Sequence, residues 1–225
     1  MRNFKNIVII YPEDPSIDFL HPLYDGLTAL FPKIIVHRPI HGASLHTMVD
    51  DDTELVLFLG HGTPSGLFGG VNENGEKQML CDIPSSARLL QDCSIVLFSC
   101  NSNDYLIKLQ RNSAQIKNYI LFGDMPTDWT HIRHNRDIEA DYWPDCNEEN
   151  LSFYKSSLVE SVLFGFEKAY NINSFHSFVK GVGHIINVKI NEIIQHVNWS
   201  RNQKLQLIER LIEFKKDIRY IDSLI

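Results

Sequence analysis

Five apolar runs of strand length punctuate the first half of the chain: 6–11 (NIVIIY), 33–39 (KIIVHRP), 54–60 (ELVLFLG), 94–100 (SIVLFSC) and 118–123 (NYILFG). Their Val, Ile, Leu and Phe residues do not alternate strictly with polar ones, which is the pattern of strands covered on both faces. Helical patterns between them, at about 15–31, 43–50, 84–92 and 103–112, make strand and helix alternate. That order predicts an α/β layer around a mostly parallel sheet with right-handed crossovers. Ligand sites in such sheets gather at the carboxyl ends of the strands.

The segment Leu67 to Cys81, LFGGVNENGEKQMLC, carries Asn74-Gly75, a strong two-residue turn signal. It predicts a small hairpin that leaves the sheet just after the third run. The same hairpin accounts for the glycines of 66–70, which lack the Lys of a phosphate-binding loop. An acidic stretch without periodicity, 137–150, reads as an exposed loop suited to gating or processing. Three helical patterns follow, at about 151–170, 174–198 and 202–224. The last carries Leu207, Leu211, Phe214, Ile218, Ile221 and Ile225 as an apolar stripe for core packing or for a partner.

Composition narrows the function classes. A formal net charge of −7 disfavours general nucleic-acid binding, which needs clustered cations to displace counterions. No apolar run is long enough for a membrane span. The basic start MRNFK leads straight into the first run without a cleavage pattern and reads as structure, not as a signal peptide. Four cysteines, at 81, 93, 100 and 146, form no CxxC pair, which suits free thiols in a reducing cytoplasm.

Two strand ends carry candidate chemistry. The third run breaks into Gly60-His61-Gly62, and the fourth closes on Ser99-Cys100. A thiol attacks as thiolate, and a nearby imidazole can take its proton. On neighbouring parallel strands the two ends lie about 5 Å apart laterally, or twice that with one strand between. Cys100 is then a candidate nucleophile and His61 its proton-transfer partner, with the N–H groups of Gly62 and Cys100 as a candidate oxyanion hole.

Asp124 and Asp128, in FGDMPTDWTHI after the fifth run, can line a pocket for a basic side chain, or Asp124 can simply cap the loop. Trp129 can wall a subsite or belong to the core. His131 and His134 with Cys146 make a weak three-ligand pattern lacking a fourth ligand, so no metal or other cofactor is expected. His176, His184 and His196 do not share one helix face at their spacing.

His-Gly after one strand, then a hairpin, a helix and a strand ending in a thiol resembles the caspase-like cysteine peptidases, a clan that includes caspases, gingipains, legumain, separase and bacterial CHAT domains. The CHAT domains are most similar: Ser99-Cys100-Asn101-Ser102 resembles their turn, and FYKSSLVESVLFGFEKAY, 153–170, resembles a later helix. The resemblance implies a caspase-like three-layer fold over residues 1–171, with 172–225 as a helical extension packed on it. It implies a thiol endopeptidase in regulated proteolysis, with Cys100 as nucleophile, His61 as general base and Gly62 as an oxyanion donor. It further implies a protein or peptide substrate and control by an activator or sensor.

The departures also inform. The caspase signature Q-A-C-[RQG]-G is absent, and His61 precedes Cys100 by 39 residues where that signature has about 50. Phe98 stands where metacaspase-like enzymes place an Asp that selects basic residues. The alternatives are a catalytically inactive caspase-like scaffold, which would tolerate Cys100→Ala, and a ligand-binding doubly wound protein, for which no phosphate loop is present.

Overall fold

In the computed structural model, which describes residues 1 and 3–222, the apolar runs form the centre of a six-stranded sheet. Its strands are β1 (Ile7–Ile10), β2 (Ile35–His37), β3 (Leu55–Leu59), β7 (Ser94–Phe98), β8 (Asn118–Leu121) and β9 (Arg219–Ile221), in spatial order β2-β1-β3-β7-β8-β9. The first five are mutually parallel, and β9 runs antiparallel to β8. The small three-stranded sheet of β4 (Gly62–Thr63), β5 (Gly66–Val71) and β6 (Lys77–Met79) leaves β3 where the hairpin was expected. Gly75 takes a φ of 76° in its turn, a backbone region that favours glycine.

Every residue of β1, β3 and β7 is buried, because both faces of the sheet are covered. Ile7, Ile9, Leu55, Leu57, Val96, Phe98, Ile120 and Phe122 face a core closed by α1 (His21–Leu30), α5 (Glu148–Ile172), α6 (Phe175–Gln195) and α7 (Arg201–Asp217). Val8, Ile10, Val56, Phe58, Ile95, Leu97 and Leu121 face α2 (Ile83–Leu89) and α3 (Ser102–Arg111) on the other side. On the first face Phe98 meets Phe122 edge-on at 4.9 Å between ring centroids, and Phe214 of α7 stacks on Phe122 at 5.7 Å. Each such pair is worth about 0.5–1.5 kcal/mol beyond its buried area. No helix among the described residues is long and apolar enough to cross a membrane.

Several local expectations need correction. The helix expected over 15–31 is a 3-10 turn, Pro15–Leu20, followed by α1. Pro22 has no N–H for the bond back to residue 18 and restarts the helix at its own first turn. The segment 43–50 holds one 3-10 turn, Leu45–Thr47. Beyond it Asp50 turns the chain by accepting from Thr53 Oγ1 at 2.8 Å.

The acidic stretch 137–150 is only in part a loop, since α4 (Trp129–Ile138) runs into it and α5 starts at Glu148. Arg136 donates to the carbonyls of Tyr142, Trp143 and Pro144, and Trp143 is buried. The final helix ends at Asp217, short of the expected 224. Ile218 turns extended, and β9 pairs along β8, whose backbone groups would otherwise be an open edge. Leu207, Leu211 and Phe214 pack inward as the stripe predicts, Ile221 is half exposed, and Ile225 lies outside the described residues.

Candidate active site

Strand register decides which loops meet. Leu59 of β3 pairs with Phe98 of β7, so His61 and Cys100 each stand two residues beyond the same rung of neighbouring strands. Leu97 pairs with Leu121 of β8, which carries Asp124 to the level of Cys100 on the next strand. Gly62 packs directly on the β7 exit: a Cβ there would lie 2.7 Å from Ser99 Oγ and 2.9 Å from the Cys100 carbonyl oxygen. Only a glycine permits this approach, so the His-Gly pair seats the start of β4 against the thiol turn.

The Cys100 turn is tied to the exit of β8. Asn101 takes a left-handed φ of 55°, and its N–H donates to Gly123 O at 2.9 Å. Ser102 Oγ accepts from Phe122 N–H at 2.8 Å, and Cys100 Sγ donates to Met125 O at 3.3 Å. Helix α3 begins directly after the turn, at Ser102.

His61 is held from the exit of β1. Its Nε2 lies 2.7 Å from Ser16 Oγ and 3.3 Å from Asp14 Oδ2, and Lys77 of β6 reaches the same carboxylate oxygen at 3.1 Å. Ser16 Oγ donates its one hydrogen to Asp14 Oδ1 at 2.7 Å, so the short contact with His61 requires an Nε2–H donor. By that assignment the neutral ring carries its proton on Nε2 and keeps a lone pair on Nδ1. Burial pushes the Asp14 carboxyl up, but the adjacent His61 ring, hydrogen bonds from Ser16 N–H and Oγ, and the charge of Lys77 outweigh it. They hold the group well below the usual carboxylate range.

Cys100 and His61 line one narrow cleft with Ile17, Phe19, Leu20, Gly60, Phe98, Met125 and Thr127. Its volume is about 20 Å³, room for about one water molecule. The 3-10 turn 15–20 closes one side.

A second imidazole, from α4, approaches the thiol. His131, in the first turn of α4, has its backbone N–H capped by Asp128 Oδ1 at 2.7 Å, and its Nε2 lies 3.1 Å from Asp124 Oδ1. Cys100, Asp124 and His131 each offer a ligand-type atom, all within 4.8 Å of one another. The hydrogen bond to Asp124, then that to Cys100, holds the His131 pKa up to about 10 against the opposing effect of burial.

Of the residues singled out in the sequence, His61 and Cys100 line one cleft and Gly62 packs on the thiol turn, while the polar partners of His61 are Ser16 and Asp14 and those of Cys100 are Met125 O and His131. Asp124 lies beside them but engages His131, Asp128 caps α4, and Trp129 donates to Glu148 while its ring packs partly into the core. His131 groups with Cys100 and Asp124, and Cys146 does not join them. Sequence reading missed Asp14 and Ser16. Asp-Pro-Ser after the first run is a readable helix-cap signal, but it does not say that the carboxylate also reaches His61.

The other thiols differ in setting. Burial pushes Cys93 up to about 11 and Cys146 up to about 12, and Cys93 Sγ donates to Thr53 O at 3.2 Å. All four cysteines are free. No protein-family model matches the chain, and no curated protein matches it in sequence.

Proposed function

We propose that the chain is a cysteine endopeptidase of caspase-like α/β architecture, with Cys100 as nucleophile and His61 as proton carrier. The observation that carries this reading is the shared register: His61 and Cys100 project from the same level of adjacent parallel strands into one cleft. A parallel sheet with an antiparallel hairpin after its third strand and the thiol after the next parallel strand supports the architecture.

In the proposed reaction His61 Nδ1 takes the Cys100 thiol proton, and the sulfur attacks the peptide carbonyl carbon. The N–H groups of Gly62 and Cys100 stabilise the oxyanion as it forms. Collapse breaks the C–N bond, His61 gives its proton to the departing amine, and an acyl-enzyme remains. Water, losing a proton to His61, then attacks the thioester; the C–S bond breaks to free the acid, and His61 returns its proton to the sulfur. Asp14 and Ser16 are positioning residues that keep the Nδ1 lone pair available.

The cleft is narrow, and in this reading the turn 15–20 opens to admit a peptide. This favours control by an activator or sensor protein, and regulated proteolysis within a reducing cytoplasm belongs to the same reading. The closed cleft also favours a second reading, a caspase-like scaffold without turnover.

The deciding test is active-site labelling with a peptide electrophile followed by mass spectrometry. The peptidase reading expects a single adduct on Cys100, lost in His61→Ala. Equal labelling of Cys81 and Cys100, indifferent to His61, favours the scaffold.

A further inference from the structure

We propose that Cys100, Asp124 and His131 form a binding site for a zinc-class divalent cation, which caps the nucleophile and switches the site off. The site stands on its own geometry; its inhibitory role rests on the peptidase reading. A thiolate, an imidazole and a carboxylate are a borderline-soft donor set that suits Zn²⁺ over Mg²⁺ or Ca²⁺. With metal–ligand bonds of about 2.0–2.3 Å, tetrahedral ligands stand roughly 3.3–3.7 Å apart. Asp124 Oδ1 and His131 Nε2 are already 3.1 Å apart, and no pair in the trio exceeds 4.8 Å. Side-chain adjustments of about 1 Å or less therefore complete three corners of a tetrahedron, and water fills the fourth.

The three donors come from different elements that the fold ties together. The Cys100 turn is bonded to the β8 exit through Asn101, Ser102 and its own sulfur, and Asp124 lies within that exit. His131 is fixed by the Asp128 cap on its N–H, and Asn135 Nδ2 approaches the second Asp124 oxygen at 3.5 Å. Supporting contacts of this kind orient metal ligands. Binding replaces two protons with the metal, the Cys100 thiol proton and the proton that His131 carries toward Asp124, and both leave to solvent. The sulfur lone pair is then committed to the cation and unavailable to a carbonyl.

The test uses the reduced full-length chain with Co²⁺ and Zn²⁺ as probes. The expected result is one equivalent of Co²⁺ with a thiolate-to-cobalt charge-transfer band, absent in Cys100→Ser. Affinity falls at least about tenfold in His131→Gln and Asp124→Asn, and is unchanged in His61→Gln. In the wild type, which avoids any folding defect of the variants, Zn²⁺ protects Cys100 from alkylation and leaves Cys81 reactive. No band in the wild type, an undiminished band in His131→Gln, or loss of binding in His61→Gln overturns the proposal. Peptide labelling separates the two claims: if it fails while the cobalt band persists, the peptidase reading falls and the metal site stands.

Discussion

Asp14 Oδ2 lies 3.3 Å from His61 Nε2 across 47 residues of chain, and Lys77 lies 3.1 Å from the same oxygen. The carboxylate therefore joins the exit of β1, the exit of β3 and the small antiparallel sheet. Because the folded-state pKa is depressed, its stabilising contribution is fully present above the unfolded value of about 3.9 and is lost as pH falls below it. Asp14→Asn is expected to lower stability at neutral pH, with the gap to wild type closing below about pH 4. Urea midpoints across a pH series measure this. A gap that stays constant with pH removes the carboxylate charge from the explanation.

The contrast among thiols predicts an order of reactivity. Cys93 and Cys146 are held protonated by burial, and alkylation at neutral pH is expected to be slow at both. Cys100 is expected to react fastest, and His61→Ala to slow it by about tenfold or more, the low end of what a positioned base contributes. Site-resolved mass spectrometry over time gives both rates.

Gly62 has no space for a side chain. Its Cβ position lies 2.9 Å from a backbone oxygen, which cannot swing aside as a flexible side chain can. Gly62→Ala is expected to cost about 1–3 kcal/mol by overpacking, and to slow Cys100 alkylation as β4 lifts from the thiol turn. Thermal unfolding with alkylation rates on the folded protein checks both. A stable variant with wild-type reactivity would show that the turn is free to shift.

Phe19 bounds the cleft and is only partly buried. Phe19→Ala is expected to enlarge the opening and speed alkylation of Cys100 several-fold, at a stability cost of about 1 kcal/mol. If the rate is unaffected, the 15–20 turn does not limit access.

Phe214 stacks on Phe122 and meets Phe98, so α7 helps to close the core beneath the β7 exit. Phe214→Ala is expected to cost about 3–5 kcal/mol. A cost under about 1 kcal/mol, read from denaturant unfolding, would mean that the last helices are an appendage and not part of the core.

The sequence by itself determined the central strands, since a run such as LVLF needs no partner to declare itself buried on both faces. It determined the hairpin through Asn74-Gly75, where local turn chemistry suffices. It also placed His61 and Cys100 at strand ends, because each directly follows an apolar run. Helix α4 left no such trace: Ile132 is its only fully buried residue, so its periodicity is too thin to read. Strand β9 is three residues long and exists through its pairing with β8. The grouping of Cys100 with Asp124 and His131, and of His61 with Asp14 and Ser16, was decided only by the tertiary structure. Register between strands distant in sequence sets which loop ends stand level, and hydrogen bonds across those ends fix which side chains share a proton.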